Sequence, residues 1–330
     1  MMEKMRAALK NNSDIMGNYL IAILLVIIIS FFYRGFGGLS HISVLMSDFA
    51  ILGLLVIGQT FVVLTGGIDM SVPYMMCSSA VVINYGVNTK GWSVAATLAI
   101  VFIGTLLIGA VSGFGIAYLK VHPMIMTYGM NSILMGALLS WTDGTAGGFT
   151  PQVLIRFSKA KIGFVPVITI VFVVGMIVLM LILKRSSYGK KLYAVGNCKR
   201  AAYFSGVNVR ITVLAAYSIS AVCAAAGGII MSGRVGQSYL GMGDSYMFIT
   251  LAAVAIGGVS MNGGKGHVIG AASGALIITI ILSALTVLKV SLGMQQLLYG
   301  VVLLAALIFE SSQTSHGHKI QFRKKKGEQI

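Results

Sequence analysis

The feature that most constrains this chain is a succession of uncharged apolar windows, each close to the roughly 20 residues a helix needs to cross a bilayer core. Ten stand out: Met16 to Tyr33, Ile42 to Thr65 (interrupted by Asp48), Met70 to Val87, Trp92 to Leu119, Pro123 to Trp141, Ile162 to Leu183, Ile211 to Gly233, Ser245 to Asn262, His267 to Leu288 and Val290 to Phe309. With 57% hydrophobic and only 10% charged residues among 330, the chain cannot clothe a water-exposed surface, which excludes a soluble globule. The runs are continuous rather than alternating, which excludes a transmembrane β-barrel; helices satisfy their own backbone hydrogen bonds within one segment in lipid. The expected fold is all-α, a polytopic transmembrane bundle of about ten spans. It occupies residues 16–309, between a tail of 1–15 and a basic tail of 310–330.

The formal charge of +16 would point to nucleic acid on a soluble chain, but in a membrane protein it reports orientation instead. Basic residues cluster in the N-terminal tail (Lys4, Arg6, Lys10), between Lys184 and Arg210, where seven occur without one acid, and in the C-terminal tail (Lys319, Arg323, Lys324, Lys325, Lys326). Six spans before the central cluster and four after it place all three regions, and so both termini, in the cytoplasm. Arg156, Lys159 and Lys161 fall outside and run against this pattern. The N-terminus is basic and leads into an apolar run, but no small-residue cleavage site follows, so it reads as a cytoplasmic tail with a retained first span.

Several chemistries are missing. The nearest approach to a phosphate loop, Gly258 to Gly266 (GVSMNGGKG), lacks the Lys-Ser or Lys-Thr ending, so the chain has no nucleotide-hydrolysing site of its own. Ion-gradient transport relies on ionisable groups between helices, and Asp48 is the one acid well inside a window, with no basic partner at its depth. His41, His122, His267, His316 and His318 sit at helix ends or in the tail, without HExxH or GxSxG. Cys77, Cys198 and Cys223 lack paired spacing, so neither a disulfide framework nor a metal site is indicated, and no cofactor is expected. The expectation is a transport protein without an ATPase site of its own rather than an enzyme.

The longest polar interruption, Gly189 to Val209 (GKKLYAVGNCKRAAYFSGVNV), has good helix formers over Lys199 to Phe204, with Asn197 as a candidate N-cap and Gly206 as a stop. A short exposed helix between two spans suits docking in a groove on another protein. Arg200-Ala201-Ala202-Tyr203-Phe204-Ser205-Gly206 resembles the Glu-Ala-Ala-x-x-x-Gly coupling motif of the permease subunits of monosaccharide ATP-binding-cassette importers of the ribose, xylose and arabinose type, with Arg200 where the motif has Glu. The AVGN stretch before it, TGGIDMSV (Thr65 to Val72) and IGGVSMNGGKG (Ile256 to Gly266) resemble further segments of that family, in the family's order. Pro73, Met124 and Tyr128 depart from the usual Gly, Phe and Leu, which leaves the sugar open.

The resemblance implies a permease of the bacterial plasma membrane that works with a second copy of itself, an ATPase subunit on its cytoplasmic face and an extracytoplasmic sugar-binding protein. It assigns Gly189, Gly196, Asn197, Ala201, Ala202 and Gly206 to coupling. It assigns Gly66, Gly67, Asp69, Ser71, Gly257, Gly258, Gly263 and Gly264 to motif turns. Gln59, Asn84, Thr127 and Asn131, polar residues within apolar spans, are candidate pathway-lining positions. The alternative is a gradient-driven secondary transporter of a small polar solute. GGIDMS and GGVSMN also match in register after long apolar helices, as a parallel internal repeat would.

Overall fold

A computed structural model describes residues 2–144, 148–291, 293–298, 300, 301 and 304, with backbone alone for 2–14. The helices are α1 (Met2–Phe32), α2 (Leu39–Leu64), α3 (Val72–Asn88), α4 (Val94–Ala117), α5 (Pro123–Thr142), α6 (Gln152–Lys159), α7 (Val167–Arg185), α8 (Ser187–Asn197), α9 (Lys199–Phe204), α10 (Val209–Val235), α11 (Tyr246–Ile256) and α12 (Val268–Val287). A small hairpin, β1 (Lys161–Ile162) and β2 (Val165–Pro166), joins α6 to α7. Among the described residues six helices, α1, α2, α4, α7, α10 and α12, are long and apolar enough to cross a membrane.

The bundle is built around α10, which packs on α2, α3 and α4. A Cβ at Gly228 of α10 would stand 2.2 Å from the Met76 carbonyl oxygen on α3, and one at Gly109 of α4 would stand 2.7 Å from the Tyr217 carbonyl oxygen. Apolar helices gain nothing by leaving lipid for each other, so close backbone approach through small residues supplies the packing energy. Ile51, Leu55, Phe61, Met75, Met76, Ala221 and Ala224 fill the spaces between these crossings.

Side-chain contacts fix the direction of each helix. Asn18 donates to the Ile256 carbonyl at 3.1 Å and Tyr19 to the Ile269 carbonyl at 3.1 Å, so the apolar part of α1, which opens at Ile15, begins where α11 ends and α12 begins. At the opposite end His41 of α2 lies 3.1 Å from Ser283 of α12, and Asn84 of α3 reaches Ser238, beyond α10, at 3.0 Å. The first of these ends carries α8 and α9 and is called the basic end below.

Two crossings are interrupted. Residues 65–71, between α2 and α3, and residues 236–245, between α10 and α11, are not regular helix, yet both fold into the bundle. They bring the starts of α3 and α11 together: a Cβ at Gly243 would stand 2.2 Å from the Pro73 carbonyl oxygen. With 17 and 11 residues, α3 and α11 span about 25 and 16 Å, short of the ~30 Å hydrocarbon core, and the irregular stretches make up the difference. Such backbone persists at membrane depth only where protein buries it or water reaches it.

The window from Ser245 to Asn262 is therefore not one helix. It stops at Ile256 because Gly258, with φ +75°, turns the chain back: the Gly258 N–H bonds to Ala255 at 3.0 Å and the Val259 N–H to Val254 at 3.2 Å. The end of α2 has the same geometry around Gly66, φ +74°. The two Gly-Gly pairs thus correspond one residue out of their sequence register, Gly66 with Gly258, and both helices end at the basic end. Similarly, the window from Ile162 opens in the β1–β2 hairpin, and its helix begins at Val167. In the window from Val290 to Phe309, residues 292, 299, 302, 303 and 305–309 lie outside the described residues, as does the tail 310–330.

Candidate functional site

At the basic end three motifs far apart in sequence meet backbone to backbone. Ser186 caps α8 by accepting the Gly189 N–H at 3.1 Å, and a Cβ at Gly189 would stand 2.0 Å from the Leu183 carbonyl oxygen, which folds α8 tightly under α7. The far end of α8 is thereby pressed on the end of α2. A Cβ at Gly196 would stand 1.9 Å from the Leu64 carbonyl oxygen and 2.4 Å from the Gly264 nitrogen. The Gly264 N–H bonds to that same Leu64 carbonyl at 3.0 Å. Gly263 and Gly264, at φ +87° and +73°, pass directly over Gly66 and Asn197, and a Cβ at Gly66 would stand 3.2 Å from the Asn262 carbonyl oxygen. Tyr193 closes the junction by donating to the Gly266 carbonyl at 2.7 Å; its burial pushes the phenol up from its ordinary value. His267, half-buried at the start of α12, is held below the ordinary imidazole range by burial and by the nearby Lys184 charge.

From this junction residues 65–71 lead inward to Asp69, which is buried. One of its carboxylate oxygens accepts the Ser71 N–H at 2.9 Å and the Ser71 hydroxyl at 2.6 Å; the other accepts the Ser220 hydroxyl of α10 at 2.7 Å. The amide of Gln59, on α2, donates to the Asp69 carbonyl at 3.2 Å and accepts its N–H at 3.1 Å. From α5, Thr127 accepts the Met70 N–H at 2.9 Å and Asn131 the Tyr74 N–H at 3.2 Å. Ser71 occupies the cap position of α3, Asp69 two residues before it closes a turn on the Ser71 N–H, and Asn131 satisfies an N–H in the first turn. The segment is thus held by α2, α5 and α10 together. Asn84 is fully buried at the opposite end, where its amide nitrogen lies 3.2 Å from the Gly148 carbonyl and 3.0 Å from Ser238.

The basic segment is two helices rather than one. Asn197 ends α8, its amide bonded to the Tyr193 carbonyl at 2.9 Å, and Cys198 takes the cap position of α9 because its extended φ of −161° breaks the helix there. Gly206 is the stop, at φ +78° with nothing within 4 Å of a Cβ. Ala202 faces inward and packs with Val62, Val195, Val213 and Tyr217, so it seats against the chain's own core. What α9 presents outward is an edge-to-face aromatic pair, Tyr203 and Phe204, 69% and 84% exposed, beside exposed Lys199, Arg200 and Ala201.

A short basic double helix is thus seated on one end of the helical bundle through glycine contacts. The family model described as branched-chain amino acid transport system / permease component matches residues 41–307. This chain belongs to that family. The permease is similar to the ribose import permease protein RbsC of Bacillus subtilis, 32% identical over 91% of this chain and 94% of that protein. It is also similar to the D-allose transport system permease protein AlsC of Escherichia coli, 29% over 88% and 90%, and to the autoinducer 2 import system permease protein LsrC of Shigella flexneri, 30% over 92% and 88%. No solved structure matches it. It is a multi-pass permease subunit of the bacterial inner membrane.

Two features of the permease escape a sequence reading. Asp48 is not alone, because Arg234, in the last turn of α10 and just past the expected span end, pairs with it across α2 and α10. Tyr217 contributes a buried hydroxyl under Gly67, where a Cβ would stand 2.4 Å from it. A tyrosine one residue along an apolar helix carries no sequence signal of that contact.

Proposed function

We propose that this permease forms the translocation pathway of an ATP-driven importer for a monosaccharide, a pentose or related sugar. The observation that carries this is the solvent-facing Tyr203–Phe204 pair on a helix rooted in the glycine junction. Large aromatics exposed on a polar helix are interface anchors, and here they offer a groove-docking surface to a separate ATPase subunit. The names of the relatives, permeases for ribose and D-allose, support a sugar as the cargo, and in this reading an extracytoplasmic binding protein is its donor. A second copy completes the pathway; α5 supports this, since it turns the Ser132 hydroxyl and bare Gly129 and Gly136 outward. In this reading both termini, including tails 1–15 and 310–330, and the basic end are cytoplasmic, and α3, α5 and α11, with the window from Val290 to Phe309, bring the six long apolar helices to ten crossings. Gln59, Thr127 and Asn131 belong to the wall of the path, which moves with the 65–71 segment they clasp.

Uptake of labelled D-ribose and D-allose by cells carrying the permease with its partner subunits tests the reading. The Phe204→Asp variant is expected to lose about 30-fold in uptake at normal membrane levels, as for removal of an interface anchor of about 2 kcal/mol. Full uptake by that variant would remove the coupling assignment. Orientation has a built-in reporter: Cys198 is exposed, whereas Cys77 and Cys223 are buried. A membrane-impermeant maleimide is expected to label the protein only after the membrane is opened, with an added tail cysteine as control. Labelling of intact cells would invert the topology.

A further inference from the structure

Residues 236–245, between α10 and α11, expose Tyr239, Asp244 and Ser245. Gly243 packs on Pro73, and from Pro73 the helix α3 runs eleven residues to Asn84, which is bonded to the outer loops. In the other direction α11 runs 11 residues to the basic end. At the helical rise, each distance is about 16 Å, so Asp244 stands half way through the bundle. It is nevertheless exposed, and among the described residues no basic side chain pairs with it. Gly241, φ +79°, leaves room for the carboxylate: a Cβ there would stand 2.7 Å from an Asp244 oxygen.

A lone carboxylate facing lipid at mid-depth is strongly unfavourable, so such groups face water-filled paths or the interior of an assembly. A carboxylate can accept two hydroxyls at once, a neighbouring hydroxyl can donate or accept, and an aromatic ring covers C–H faces; together these are the means of holding a neutral polyol. We propose that Asp244 lines the translocation path and receives paired hydroxyls of the passing solute, with Ser245 and Tyr239 beside it. This rests on the sugar reading for the identity of the solute.

The test uses the complete importer in inside-out and right-side-out vesicles. In a Cys198→Ser background the Asp244→Cys variant is expected to react with a water-soluble methanethiosulfonate reagent, and excess D-ribose or D-allose to slow that reaction. Asp244→Asn is expected to lower uptake of both sugars about 10- to 100-fold at unchanged membrane levels, the loss expected when a charged hydrogen-bond acceptor is removed. Absence of labelling from both sides overturns the proposal, because the site is then sealed by lipid or protein. Normal uptake by Asp244→Asn overturns it equally. If the wild-type importer moves neither sugar, the sugar reading fails, and labelling alone decides whether Asp244 lines the path.

Discussion

Gly196→Val is expected to leave little folded permease in the membrane. Its new Cβ would fall 1.9 Å from the Leu64 carbonyl oxygen and 2.4 Å from the Gly264 nitrogen, both backbone atoms that cannot turn aside. Relief requires α8 to lift off α2, which breaks the Gly264–Leu64 hydrogen bond and exposes the junction. A cost of about 4 kcal/mol or more follows, in the exceptional range for one substitution. Gly206→Ala provides the contrast: its φ of +78° is unfavourable for alanine, but nothing lies near, so about 1 kcal/mol is expected. Thermal unfolding of the purified permease in detergent compares the two; equal shifts would show that the close approach at Gly196 is unimportant.

Asp69→Ala is expected to destabilise the permease by about 2–5 kcal/mol and to abolish uptake, because the Ser71 N–H and the Ser220 hydroxyl each lose a buried partner worth about 1–3 kcal/mol. Asp69→Asn keeps an oxygen for Ser71 and turns an amide donor toward Ser220, so it should approach wild-type stability. Asp69→Ser retains the reach to Ser71 alone and should fall between. The order Asn, Ser, Ala in both unfolding temperature and uptake is the expected result. Uptake as low for Asn as for Ala, with intact protein levels, would show that the negative charge itself is needed.

The helices were legible because lipid permits few alternatives: long uncharged runs such as those of α2, α4 and α12 have to be helical to satisfy their backbone. The breaks were less so. Residues 236–245 carry glycines at 236, 241 and 243, but that composition fits an outer loop as well as a segment folded back into the bundle, and the choice depends on the meeting of Gly243 with Pro73. The residues from Gly189 to Gly206 were visible as a motif, yet their orientation was not. Ala202 is small because Val62 and Tyr217 lie over it. The outward surface belongs to Tyr203 and Phe204, the positions that the motif leaves unspecified. Likewise, Gly66, Gly196, Gly263 and Gly264 could each be picked out, but their convergence depends on how α2, α8 and the 257–267 loop are stacked.

Side chains in an ordinary interface act as springs: they change rotamer, slide and absorb part of any movement between the elements they separate. Between Gly196, Leu64 and Gly264 there are none, and the stiff peptide planes touch each other directly. A displacement imposed on α8 and α9 from outside therefore reaches the start of the 65–71 segment with little slack. The same stiffness works in reverse, so in the proposed importer a shift of Asp69 between α2 and α10 would be felt at the surface of α9. Glycine here removes compliance from a mechanical linkage, whereas in a turn it would add freedom.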